Sequence, residues 1–155
     1  MDKSEVSTRL TESRQALLTA IAGLSEEELT GPKVDGIWTV KDLLGHIAAW
    51  EGTLLKPLAD YAVGEPFIAQ VILDHDAWNA EQAARRSSSS VLELQLELNS
   101  IRQDLLEAFE KLSDAQLTKT FLAPWGEKNT ILEMLSGLAW HEEEHTKSIL
   151  KKFPQ

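Results

Sequence analysis

Trp140 to His145 read WHEEEH and satisfy the expression H-E-x-x-H. On a helix this spacing sets two imidazoles one turn apart on one face, within reach of a single divalent ion, with Glu142 where a zinc peptidase keeps its general base. The chain has four histidines, His46, His75, His141 and His145. Four placed at random give some i,i+4 pair in roughly one chain in twelve, so the pair needs support from its surroundings. A peptidase would need more: ten residues follow His145, leaving no place for a downstream third ligand, and no segment resembles the strand that borders a zincin cleft. The protease reading is therefore set aside.

A third imidazole is available far upstream, at His46. Neutral imidazoles from His46, His141 and His145 make three ligands and leave positions on an ion open to water or substrate, the layout of a catalytic rather than a closed structural site. The other reading of the same residues is a bundle lined by hydrogen-bonded histidines with no metal. His75, between Asp74 and Asp76, reads as a surface residue or one standing behind the ligands. Asp42, one turn before His46, is placed to orient that imidazole, and Glu51 or Glu142 to take a proton; the sequence assigns no catalytic base.

The elements that must position these residues are helices. Leu, Ala and Glu recur, hydrophobic residues make up 43% and charged residues 26% of the 155 residues, and strand formers are sparse. Helical periodicity runs over residues 3–23, 40–62, 90–112 and 130–151, with start signals at Thr39 with Asp42, Ser90 with Glu93 and Thr130 with Glu133. At 100° per residue the last helix gathers Ile131, Met134, Leu135, Leu138 and Ile149 on one stripe, with Glu142 near its middle and both histidines toward a flank. The second gathers Val40, Leu43, Leu44, Ile47, Leu54 and Leu58, with Glu51 near the centre and His46 outside the flank. A buried carboxylate without a partner costs several kcal/mol or takes up a proton, so inward glutamates require a cation, a histidinium or a proton-transfer role beside them. Periodicity alone also allows rotated helices with both glutamates in solvent.

The chain resembles itself. Leu24-Ser25 to Leu29-Thr30 matches Leu112-Ser113 to Leu117-Thr118, and Thr39-Val40 matches Thr130-Ile131, which pairs Glu51 with Glu142 and Trp50 with His141. Each match spans a short helical turn followed by an irregular segment, the pattern of a duplicated helix hairpin. The long connection from Gly64 to Ser89 carries a short extra helix around ILDHDAWNAEQAARR and a serine run that ends in an N-cap. A crossover of that length lets helices two and three run parallel, so the expected fold is all-α: one domain over residues 1–155, a four-helix bundle, up-down-down-up.

The net charge of -10 and pI near 4.8 repel a phosphate backbone, and no basic strip overrides them, so nucleic acid is not expected as a partner. The basic cluster Lys147 to Lys152 complements a helix C-terminus. No cysteine is present, which excludes disulfides, thiolate ligands and a cysteine nucleophile; any thiol chemistry must use an added thiol. Neither a signal core nor a membrane span is visible, and a cytoplasmic location is expected.

Three segments, WTVKDLLGHIAAWE (Trp38 to Glu51), DAWNAE (Asp76 to Glu81) and WHEEEH with its basic tail, make the chain similar to the DinB-like superfamily of four-helix proteins, over essentially its whole length. The resemblance maps that family's three-histidine pattern onto His46, His141 and His145. It implies one divalent ion, often nickel or zinc, between helices, frequent homodimers, and relatives that use low-molecular-weight thiols in transfer or isomerisation. The resulting expectation is a metal-dependent enzyme acting on a small molecule by thiol transfer or hydrolysis. The alternative is a non-catalytic bundle that holds a small apolar compound among tryptophans such as Trp38, Trp50, Trp125 and Trp140.

Overall fold

The structure, a computed structural model, describes residues 1–155. Four long helices carry it: α1 (Lys3–Ile21), α3 (Val40–Gly52), α6 (Val91–Glu110) and α8 (Ile131–Lys152). Between them lie short helices α2 (Glu26–Thr30), α4 (Leu55–Ala62), α5 (His75–Arg86) and α7 (Asp114–Leu117). The start signals act as read. Thr39 and Thr130 accept from the amides of Asp42 and Glu133, whose carboxylates reach back, and Ser90 accepts from Glu93. α1 is capped instead by Asp2, in a reciprocal box with Glu5.

Two expectations change. The helix predicted over residues 40–62 breaks between α3 and α4. The Thr53 and Leu54 amides turn back to Trp50 and Glu51 in short i−3 bonds, and Pro57 has no N–H to offer the Thr53 carbonyl. The irregular segments before α3 and α8 are antiparallel hairpins, β1 (Lys33–Asp35) with β2 (Trp38–Thr39) and β3 (Thr120–Leu122) with β4 (Lys128–Thr130). Each half of the chain thus runs long helix, Ser-capped short helix, hairpin, long helix, and the internal match is visible as repeated structure.

α1 packs on α8 and α3 on α6, with α5 of the crossover lying on α3. α5 buries none of its own residues. It is held at its end by an Arg86–Glu97 ion pair, at a place where Gly45 gives room: a Cβ there would stand 3.1 Å from Cδ of Arg86. The apolar stripes read from the sequence are buried as two groups, one around Leu17, Leu43, Leu44, Leu94 and Leu98, the other around Leu10, Leu54, Leu105, Phe109 and Met134.

Between these groups the four long helices each contribute one charged side chain, Arg14 from α1, Glu51 from α3, Arg102 from α6 and Glu142 from α8. Glu51 is 1% and Glu142 0% exposed, so both glutamates face inward. Their cations are the two guanidiniums. Arg14 donates through Nε to Glu142 at 2.7 Å and through Nη2 to Glu51 at 2.8 Å; Arg102 donates through Nε to Glu51 and through Nη2 to Glu142 at 3.4 Å. Ser13 donates to Glu142 at 2.8 Å, and the remaining Nη1 groups donate to the Leu98 and Leu10 carbonyls. No buried side-chain polar atom is left without a partner.

Candidate metal centre

The capping boxes fix where α3 and α8 begin, and with them the flank on which His46, His141 and His145 stand. The structure brings these three together. Nε2 of His141 lies 3.0 Å from Nε2 of His46 and 3.0 Å from Nε2 of His145, and the ligand atoms of all three fall within 4.8 Å of one another. Two nitrogens at about 2.05 Å from one ion stand that far apart when they subtend close to a right angle.

The donor chemistry fits a cation. Nδ1 of His145 faces Oδ2 of Asp35 at 3.1 Å, and because a carboxylate accepts, that Nδ1 carries the ring proton. The Nε2 of His145 is then a lone pair aimed at the cluster. Burial pushes the His46 imidazolium down to about 4, helped by nearby His145 and opposed by Asp35. His141 falls to about 3 through burial and its two histidine neighbours, and burial lowers His145 against the pull of Asp35. All three are neutral near pH 7, the form that ligates a metal.

Asp35 sits on the first hairpin, whose register shifts between Lys33 and Asp35, and the following Gly36 takes the positive φ of 56° the turn requires. Its role was missed in the sequence, although Asp-Gly between Val34 and Ile37 is a hairpin signal. Asp42, read there as a partner for His46, instead caps α3 through the Thr39 amide at 2.9 Å. Neither candidate base is at the cluster: every oxygen of Glu51 and Glu142 accepts from Arg14, Arg102 or Ser13.

The histidines open onto a cleft of about 820 Å³ walled by Trp50, Trp125, Trp140 and Leu132. Trp38 does not line it but lies beside His46, ring centroids 5.6 Å apart. His75 does line it, exposed at the start of α5 and edge-on to Trp50 at 5.2 Å. Trp78 packs on Trp50 at 4.5 Å, which gives the DAWNAE segment its place as a wall of the cleft.

Residues 9–149 match the family model described as the DinB superfamily. A protein of Geobacillus thermodenitrificans (strain NG80-2) named "Putative metal-dependent hydrolase" is 29% identical over 152 residues, 96% of this chain and 83% of that protein. The mycothiol-dependent maleylpyruvate isomerase shares the fold with a TM-score of 0.80 at 16% identity, covering 96% of this chain and 61% of that one. The colibactin self-resistance protein ClbS in complex with a dsDNA shares it with a TM-score of 0.78 at 16% identity, covering 99% and 97%. One protein of this fold thus binds DNA, and the fold by itself does not exclude that partner. No helix is long and apolar enough to cross a membrane. With the three-histidine cluster, the all-α bundle and a match over most of its length, the chain belongs to the DinB superfamily.

Proposed function

We propose that this protein is a metal-dependent hydrolase of a small molecule, with His46, His141 and His145 as the ligands of one divalent ion, nickel or zinc. The observation that carries the reading is the convergence of three neutral imidazole Nε2 atoms at a tryptophan-walled cleft. An ion held by three uncharged ligands keeps its full charge and supplies acidification of a bound water or thiol. The chain's own residues do the rest. Asp35 fixes the tautomer and ring angle of His145, and Trp50, Trp125 and Trp140 exclude water and hold the apolar part of the substrate. Glu51 and Glu142 keep the helices together and take no proton from substrate.

Transfer to an external thiol is the second chemistry the same ion supports; the lack of cysteine and the fold shared with a mycothiol-dependent enzyme favour it. A homodimer comes to the proposal from the resemblance alone. A small-molecule partner is preferred to nucleic acid because the net charge is -10 and no lysine or arginine lines the cleft. A non-catalytic binding bundle is supported by the same tryptophans; ligand-induced fluorescence changes that are identical before and after chelation, without turnover, would establish it.

The test is metal analysis of untagged protein beside His141→Ala and Asp35→Asn. We expect a stoichiometric ion in the wild type, none in His141→Ala, and an affinity about 10–100-fold weaker in Asp35→Asn. No stoichiometric metal in any sample, or full metal retention by His141→Ala, sinks the assignment.

A further inference from the structure

Two tryptophans of the cleft each hold an asparagine in the same way. The indole Nε1 of Trp50 donates to Oδ1 of Asn79 at 2.8 Å, and that of Trp125 donates to Oδ1 of Asn129 at 3.0 Å. An indole N–H donates only, so the atom facing it must be the amide oxygen, and the orientation of both amides is settled by their partners. Each Nδ2 is thereby turned away from its tryptophan. No protein acceptor takes a hydrogen bond from either one, and since no buried side-chain polar atom of the protein lacks a partner, both groups are open to solvent, on asparagines that line the cleft.

The two pairs come from different parts of the chain. Trp50 is on α3 and Asn79 on α5 of the crossover, whereas Trp125 and Asn129 belong to the hairpin before α8. The Trp125 ring passes over Gly137 of α8, where a Cβ would stand 3.9 Å from Cζ2, which seats the second pair against the helix that carries His141 and His145. The cleft therefore presents apolar ring faces and two fixed N–H donor groups, with no cationic side chain. Its charged lining side chains are acidic, Glu127 and Glu133, with Glu133 engaged at the start of α8, and the α-amino group of Met1 is the one cation of the lining residues.

We propose that Asn79 and Asn129 are specificity-determining residues whose Nδ2 groups bind an uncharged carbonyl acceptor of the substrate. The substrate class is a neutral acyl or carbonyl compound with an aromatic or aliphatic body. A carboxylate is disfavoured, since the lining offers no lysine or arginine and its two glutamates outnumber the single α-amino group of Met1. A pure hydrocarbon leaves both amide donors dry and unpaired. The inference rests on this cleft being the substrate site, as in the proposed function, but not on the metal.

Three probes of similar shape separate these cases: 4-phenylbutan-2-one, 3-phenylpropanoate and butylbenzene. Their dissociation constants are read from tryptophan fluorescence on the full chain, both after chelation and with metal. After chelation the ketone should bind about tenfold more tightly than the hydrocarbon and more tightly than the carboxylate. Asn79→Asp and Asn129→Asp keep the oxygen that accepts from each indole and remove the donor. Each should erode the preference of ketone over hydrocarbon several-fold, leaving butylbenzene binding and the melting temperature near wild type. A ketone-to-hydrocarbon ratio that both variants leave unchanged overturns the proposal, as does a carboxylate preference in chelated protein or no saturable ketone binding. Because the decisive arm is metal-free, its outcome is separate from the metal analysis: a protein that holds no metal can still show the ratio, and one that holds metal can lack it.

Discussion

His141 and Glu142 are adjacent on α8, yet they belong to opposite kinds of polar cluster. Glu142 joins a four-charge layer with Glu51, Arg14 and Arg102 in which every donor and acceptor is matched within the protein. His141 joins a cluster whose nitrogens face one another and whose imidazolium forms burial disfavours. The first is closed and has no chemistry to offer. The second brings three imidazole nitrogens together within 4.8 Å, beside no arginine or lysine, and it is the arrangement on which the proposed ion site rests. Polar burial alone therefore does not mark a candidate metal site; the convergence of neutral imidazoles without an ionic partner for each does.

Cutting the closed layer should have the largest effect. Arg102→Met removes one of the two guanidiniums that bridge Glu51 and Glu142 and leaves two buried carboxylates facing one cation; losing a member of a buried ion cluster typically costs about 3–5 kcal/mol. Urea unfolding of metal-free protein should show that loss, whereas His141→Ala, which abolishes the proposed ion site, should change metal-free stability by no more than about 1 kcal/mol. Equal losses in the two variants would show that the layer and the histidines form one structural unit.

The same contrast explains what could be read in advance. The stripes of α3 and α8 set Glu51 and Glu142 near their centres and the histidines on a flank, but spacing alone left inward and solvated glutamates equally open, and the structure decides for inward. The cations that face those carboxylates follow from the same spacing. Arg14 stands in register with Leu10 and Leu17 on α1, and Arg102 with Leu98 and Leu105 on α6, so each stripe carried one arginine where an aliphatic residue was due. Asp35 was harder, because its contact depends on a bulged hairpin of a few residues whose aim no periodicity reports. The Trp50–Asn79 pair could not be read at all, because the two meet only after the crossover has folded back over α3, whereas Trp125 and Asn129 stand four residues apart in one hairpin.

The second effect concerns protons. An ordinary histidine ligand set would lose metal as pH falls through about 6. Here burial lowers all three imidazoliums, His46 to about 4 and His141 to about 3, so proton competition moves down and metal affinity should weaken at a pH below the ordinary 6. Folding stability of the metal-free protein follows a different window. The unfolded chain binds these protons near 6.5 and the folded chain does not, so the contribution is intact above 6.5 and is lost progressively as pH drops toward 4. Competition titrations with a chelator of known pH behaviour check the first, and urea unfolding at several pH values checks the second. A metal-affinity midpoint at 6 would mean that the imidazoles are solvated like free ones.

The smallest effect lies one residue beyond the buried layer. Glu143 also reaches α1, accepting from Nε and Nη2 of Arg9 at 2.9 and 2.8 Å, but the two side chains are 28% and 32% exposed. The bond from Arg9 holds the Glu143 carboxyl below its usual range, so the pair contributes above about pH 4.5, the unfolded value, and fades as pH falls below it. Water and salt compete for both charges, and Glu143→Gln should cost less than about 1 kcal/mol at low ionic strength. In 1 M salt, where the screening length is about 3 Å, the difference should vanish. The Arg102→Met loss should survive the same salt, because no ion reaches a layer whose carboxylates are at most 1% exposed. The same two helices, α1 and α8, would then be joined by neighbouring ion pairs of the same chemistry and very different strength, with access to solvent as the variable that separates them.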